Sequence, residues 1–252
     1  MRLEHSFGLR ARLRAAAVHL GASFMLALGA FAVVYGLWYS PPLDRAVGVS
    51  EVVLLLLAVD LVLGPLLTFS VYQVGKKSLR FDLVVIVIIQ LTAFAYGFWA
   101  IADGRPAWLV FNVDRFDVAR ANELDGRYLK ETKLPYRSPS WTGPRWVASV
   151  NPSDIEERNR LLLESAEGGP DLPQRPDLYQ PLESEAANLR ARAQPLDVLN
   201  QFNHPDVVRG AISAWPNVDA WLPLMSRVEP MVVLLEKSTL RPVAVVDLKP
   251  WH

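Results

Sequence analysis

From Val52 to Val74 the chain reads VVLLLLAVDLVLGPLLTFSVYQV, and Asp60 is its one charged side chain. At 1.5 Å per residue a helix of this length reaches about 30 Å or slightly more, enough to cross the hydrocarbon of a bilayer. A carboxylate and a Gly64-Pro65 pair therefore lie at bilayer depth. Two similar runs flank this one. Residues 15–39 and residues 83–102 contain no Asp, Glu, Lys or Arg. The pattern predicts a three-helix membrane anchor over 1–102, with spans at about 15–39, 52–74 and 83–102.

Basic residues precede the first run (Arg2, Arg10, Arg12, Arg14), as in a signal peptide. The run is longer than the usual 7–15-residue apolar core of such a peptide. Trp38 and Tyr39 follow it in place of a small-residue cleavage site, so it reads as a retained helix. Ser40-Pro41-Pro42 stops it, because proline has no amide donor and restrains the residue before it. Lys and Arg concentrate before the first run and again at Lys76, Lys77 and Arg80, whereas the other link holds Arg45 against Asp44 and Glu51. The positive-inside rule then places the N-terminus and the Lys76–Arg80 turn in the cytoplasm. Three crossings put residues 103–252 on the outer face, which in a bacterium with two membranes is the periplasm.

Residues 103–252 carry 16 of the 19 prolines and a slight excess of acid, so the composition changes near Asp103. About 150 residues suffice for a self-supporting core. Ala107–Val113 is β-branched and aromatic and predicts a strand, with a turn or bulge at Asp114-Arg115. Residues 125–150 read as an irregular connection. A capping pattern at Ser153–Glu156 opens a helix over roughly 154–166, closed by Gly168-Gly169-Pro170. Residues 170–182 carry four prolines and read as extended. Helical patterns recur at 183–193, at Leu196/Leu199/Phe202 and at Val207/Val208/Ile212. Met231–Leu235 and Val243–Leu248 predict a closing hairpin. The outer part is therefore expected to be α+β, a small antiparallel sheet with helices on one side.

Few residues suggest chemistry. Without cysteine there is no disulfide, thiolate metal site or Cys nucleophile. His5, His19, His204 and His252 lack metal-ligand spacing, and no G-x-S-x-G, H-E-x-x-H or P-loop occurs. No clustered basic face points to nucleic acid. No catalytic, cofactor or metal residue is assigned.

Asp60 is the exception. A carboxylate at mid-membrane costs about 2.5–3.5 kcal/mol on insertion scales, so it needs protein around it and a partner. Counted from the outer ends of the runs, Thr92 and Tyr96 match its depth better than Gln90 or His19. Pro65 leaves the carbonyl of Leu61 without its helical donor. Asp60, Gly64, Pro65, Thr92 and Tyr96 are thus candidates either to lock the three helices together or to dock a partner's transmembrane helix. Among the tryptophans of the outer part, Trp221 and Trp251 are candidate contact residues, although burial in a core suits most of that set better.

The order and spacing of several segments resemble the type IV pilin accessory proteins, the TfpX/TfpZ group. These are Tyr35-Gly36-Leu37-Trp38-Tyr39-Ser40-Pro41-Pro42, Asp60-Leu61-Val62-Leu63-Gly64-Pro65-Leu66-Leu67-Thr68, Lys76-Lys77, Gln90 with Tyr96-Gly97, and Arg105-Pro106 through Val113-Asp114-Arg115-Phe116. Trp221-Leu222-Pro223-Leu224 and the end Val246-Asp247-Leu248-Lys249-Pro250-Trp251 complete the set. The resemblance implies a multi-pass inner-membrane protein, not an enzyme, that chaperones or presents a type IV pilin for assembly. It leaves Asp60 open as a docking point for pilin's apolar, glutamate-containing helix. A membrane-bound enzyme that modifies pilin is the rival, and it would need a polar cleft with convergent acids. A sensor would need a cytoplasmic output module.

Overall fold

The computed structural model describes residues 2–252 apart from 131, 237 and 240, with side chains from residue 8 onward. The side chains of Arg2, Glu4 and His5, and residues 237 and 240 of the hairpin loop, lie outside the described residues. The chain forms two compact units, one of residues 1–36 and 49–102, the other of 37–48 and 103–252.

The first unit contains three helices long and apolar enough to cross a membrane: Gly8–Trp38, Val49–Val71 and Leu79–Asp103. The first comprises α1 (Arg2–Val33) and a π-helical end at Val34–Trp38. After the short α2 (Leu43–Val47), the second runs through α3 (Val49–Ala58), a π-helical stretch at Val59–Leu63 and α4 (Gly64–Val71). The third is α5 (Leu79–Asp103). The second span starts three residues before the apolar run does, because Ser50 and Glu51 are helical.

In the second unit follow β1 (Pro106–Asn112), β2 (Arg115–Arg120), β3 (Arg145–Ser149), α6 (Ile155–Ala166), β4 (Tyr179–Gln180) and α7 (Ala186–Arg192). Then come β5 (Gln194–Pro195), α8 (Pro205–Ile212), β6 (Ala220–Met225), β7 (Met231–Glu236) and β8 (Arg241–Val246). They make one sheet in the order β4-β3-β1-β2-β6-β7-β8, with β5 beside β6. The unit is α+β as expected, but the sheet is larger than expected and mixed. The pairs β1/β3 and β2/β6 are parallel. Those pairings join strands far apart in sequence, so no local turn announces them, whereas the β7/β8 hairpin does announce itself.

Alternation decides which residues enter which layer. Met231, Val233 and Leu235 join Leu222, Leu224, Phe111, Phe116 and Leu189 of α7 in one core cluster. Val232 and Leu234 face the other way, with Trp221, Leu199 and Val208 of α8. Trp108, Val110, Val147 and Tyr179 form a third cluster. Covering on both faces explains why β7 is apolar throughout. At α6, Asp154 caps the start by accepting from the amide of Glu156 (3.0 Å), and Gly168 (φ 86°) follows the end.

The short link between the first two spans is part of this unit. Leu43 and Ala46 of α2 lie in the main core cluster. The Ala46 carbonyl accepts from the amides of Val228 (3.0 Å) and Glu229 (3.3 Å) and from Ser226 Oγ (2.9 Å). Trp38 Nε1 donates to the Trp141 carbonyl at 3.0 Å, and the Arg105 guanidinium stacks 3.7 Å from the Trp141 ring. Gly48 ends α2 in the left-handed conformation (φ 74°).

Candidate functional site

The most concentrated polar group of the first unit lies inside its apolar helices. His19 Nε2 lies 2.7 Å from Gln90 Oε1, and Nδ1 lies 2.5 Å from Thr68 Oγ1. An amide oxygen can only accept, so Nε2 carries a proton, and in the neutral ring Nδ1 accepts from the threonine hydroxyl. Gln90 Nε2 donates to Ser23 Oγ and to the backbone carbonyl of Asp60, each at 3.0 Å. One glutamine thus joins His19 and Ser23 of the first span to the second. Bonds of this kind across membrane helices average about 0.6 kcal/mol and reach about 1.7 kcal/mol.

Local backbone chemistry explains why Gln90 arrives there. In the π-helical stretch, Gly64 N–H bonds to the carbonyl of Val59, five residues back. In that register residue 65 faces the carbonyl of Asp60, and Pro65 has no N–H to offer. Gln90 supplies the missing donor. The orphan carbonyl is therefore that of Asp60, one residue before the one an α-helical count selects. Gly64 makes the approach possible: a Cβ there would stand 2.2 Å from Gln90 Oε1 and 2.6 Å from Nε2.

Asp60 itself is 1% exposed, and among the described residues its Oδ1 has no hydrogen-bond partner. Gly64 and Pro65 are buried beside it. Thr92 and Tyr96 are not brought to this cluster. Thr92 Oγ1 turns back to the carbonyl of Ile88 (2.8 Å), and Tyr96 is 70% exposed, its ring 6.1 Å from that of Trp99. Thr92 and Tyr96 match the depth of Asp60 only if the second span begins at Val52. From Val49, the true start, Asp60 lies about 17 Å in, and Gln90 lies about 20 Å from the Asp103 end. His19, Ser23, Thr68 and Gln90 are the residues the sequence count passed over. Their signal was a polar side chain in each apolar run.

Trp221 is not a surface residue. It is 1% exposed, with Nε1 donating to the Pro195 carbonyl at 3.0 Å. It belongs to the core because β6 is interior to the sheet. Trp251 is half-buried. His204 caps α8, its Nδ1 accepting from the amide of Asp206 at 3.3 Å. Among the described residues, no group of three or more His, Asp or Glu side chains is placed to hold a metal ion.

Two curated proteins of Dichelobacter nodosus align with nearly the whole chain. The fimbrial assembly protein of serogroup E1 is 30% identical over 230 residues, covering 88% of this chain and 89% of the relative. That of serogroup I is 31% identical over 231 residues, covering 86% and 90%. The chain belongs to the fimbrial assembly protein family. The family model described as fimbrial assembly protein FimB matches residues 7–48. In this family member that stretch holds His19 and Ser23 of the polar cluster and then all of α2. The relationship agrees with the resemblance to type IV pilin accessory proteins. No solved structure matches the chain significantly.

Proposed function

We propose that this fimbrial assembly protein acts in pilus assembly by holding a type IV pilin subunit at the inner membrane and presenting it for incorporation. The observation that carries this reading is near full-length similarity to fimbrial assembly proteins in a chain that joins a three-helix anchor to a folded outer unit. The N-terminus is cytoplasmic and the outer unit periplasmic. Packing of 37–48 with 103–252 fits three crossings, since it requires both to lie on one side, and the basic residues before the first span and at Lys76, Lys77 and Arg80 select which side. Asp60, Gly64 and Pro65 serve helix packing. Thr92 and Tyr96, on the exposed side of α5, meet pilin's apolar helix, while the outer unit meets its globular head near Trp251. Two linked contacts raise the effective concentration, so each can be weak.

Photo-crosslinking residues placed singly at Tyr96 and at Trp251, in cells that make the cognate pilin, test the reading. Pilin adducts from both positions are expected. Normal piliation with no pilin adduct from either position would overturn it.

A further inference from the structure

We infer that the anchor carries a binding site for one anionic glycerophospholipid, with its phosphate at Arg10 and Arg14 and an acyl chain in the groove beyond them. The groove lies wholly within the first unit and has a volume of about 800 Å³, in the range of cavities that enclose a ligand.

One wall is a single face of the first span. Arg10, Arg14, Val18, Ala22 and Leu26 recur at helical spacing, and the small Ala11 and Ala15 deepen the basic end. Thr68 and Tyr72 of the second span and Leu83, Val87 and Leu91 of the third form the opposite side. The first helix, at 31 residues, is about 16 Å longer than a bilayer's hydrocarbon, so its first turns reach headgroup level. Arg10 and Arg14 are one turn apart there, about 6 Å along the axis. Among the described residues neither has an acidic partner, whereas Lys76 of the neighbouring turn is paired with Asp82 at 2.8 Å. Two unpaired guanidiniums at the mouth of an apolar slot complement a phosphodiester followed by a hydrocarbon chain.

The same geometry disfavours a protein helix bearing a mid-membrane acid. The polar side chains deeper in the groove are committed to one another: both His19 nitrogens and both ends of the Gln90 amide are engaged. The unpaired cationic groups are at the interface, where lipid phosphates lie. This inference stands independently of the pilin reading.

The experiment uses the full chain in nanodiscs of equal phosphatidylglycerol and phosphatidylethanolamine with identical acyl chains, released into mild detergent for native mass spectrometry. The wild type is expected to retain one phosphatidylglycerol in at least fivefold preference over phosphatidylethanolamine. Arg10→Gln/Arg14→Gln should abolish the preference. Arg80→Gln, a basic residue outside the groove lining, should leave it intact. Ala22→Phe, which fills the groove, should lower retention of both lipids; helical circular dichroism confirms that the anchor is folded. No retained lipid, equal retention of both headgroups by the wild type, or an Arg80→Gln loss as large as that of the double variant would overturn the site. So would a protein crosslink in place of a lipid adduct from a photoprobe at Leu91.

Discussion

Gln90 Nε2 donates to the backbone carbonyl of Asp60 at 3.0 Å, in the position where Pro65 has no amide to give. The third span thereby completes the hydrogen bonding of the second. Gln90→Leu preserves volume but removes the contacts to His19, Ser23 and Asp60. A loss of about 1–2 kcal/mol of anchor stability is expected, read as a lower unfolding midpoint in detergent. Gln90→Glu, which keeps an acceptor for His19 but places a second carboxylate at bilayer depth against the Asp60 carbonyl, should lose at least as much as the leucine variant.

Gly64 is required by that same amide. A methyl group at 64 occupies the space of Gln90 Oε1. Gly64→Ala alone should destabilise the anchor about as much as Gln90→Leu. In a double-mutant cycle the two should be strongly non-additive, because both remove one arrangement. Additive losses would show that Gly64 acts elsewhere.

Much of this architecture was legible in the sequence, and the failures have definite causes. The three spans, the hairpin at 231–246 and the helices at 155–166 and 205–212 follow from apolar period, caps and turn residues. The first turn of the second span was hidden by Ser50 and Glu51, and that offset misplaced the partner of Asp60. β3 was hidden because Trp146-Val147-Ala148 is short and set among Pro and Gly; pairing with β1 on one side and β4 on the other makes it a strand. The role of 37–48 was invisible for a similar reason. Leu43 and Ala46 read as loop residues until the outer unit's core closes over them.

Because residues 37–48 fold with 103–252, both must share a side of the membrane. The chain has no cysteine, so single introduced thiols report without background. Ser40→Cys and Ser238→Cys are expected to react with an impermeant maleimide in intact spheroplasts. Ser78→Cys, in the basic turn, should react only after permeabilisation. Labelling of Ser40→Cys and Ser238→Cys from opposite sides would contradict the shared core.

At Gly48 two separate demands meet. Its φ of 74° disfavours any side chain, and a Cβ would lie 2.8 Å from Val228 Cγ2. Gly48→Ala should cost the outer unit about 1–3 kcal/mol. Adding Val228→Ala should recover only the part due to the clash, since the backbone cost remains. Thermal unfolding of the two variants separates these contributions.

Val113 makes the opposite kind of prediction. It is β-branched yet adopts φ 60° at the β1/β2 turn, where the Asp114 amide bonds to the Asn112 carbonyl at 2.7 Å. Its side chain is 55% exposed, so little packing is lost by replacing it. Val113→Gly, which has no Cβ to strain at this φ, should raise stability by about 1 kcal/mol.

Asp117 gives the outer unit a defined pH dependence. Burial pushes its carboxyl up from the ordinary 3.8 to about 6, against the opposing pull of Arg115 (3.3 Å) and Asn112 (3.5 Å). In the unfolded chain the carboxyl ionises near 3.8, while in the native unit it holds its proton to about 6. Between those values the native state binds more protons, so Asp117's contribution to stability falls as pH rises through this window and is constant above it. The shift corresponds to about 3 kcal/mol at most. Other carboxylates titrate in the same range, so the useful quantity is the difference between wild type and Asp117→Asn. That difference should favour the wild type near pH 4 and shift towards the asparagine variant up to pH 6, then stay level to pH 8. Tryptophan fluorescence during urea unfolding of the full chain in detergent measures it. A difference that does not change between pH 4 and pH 6 would mean that Asp117 titrates alike in both states.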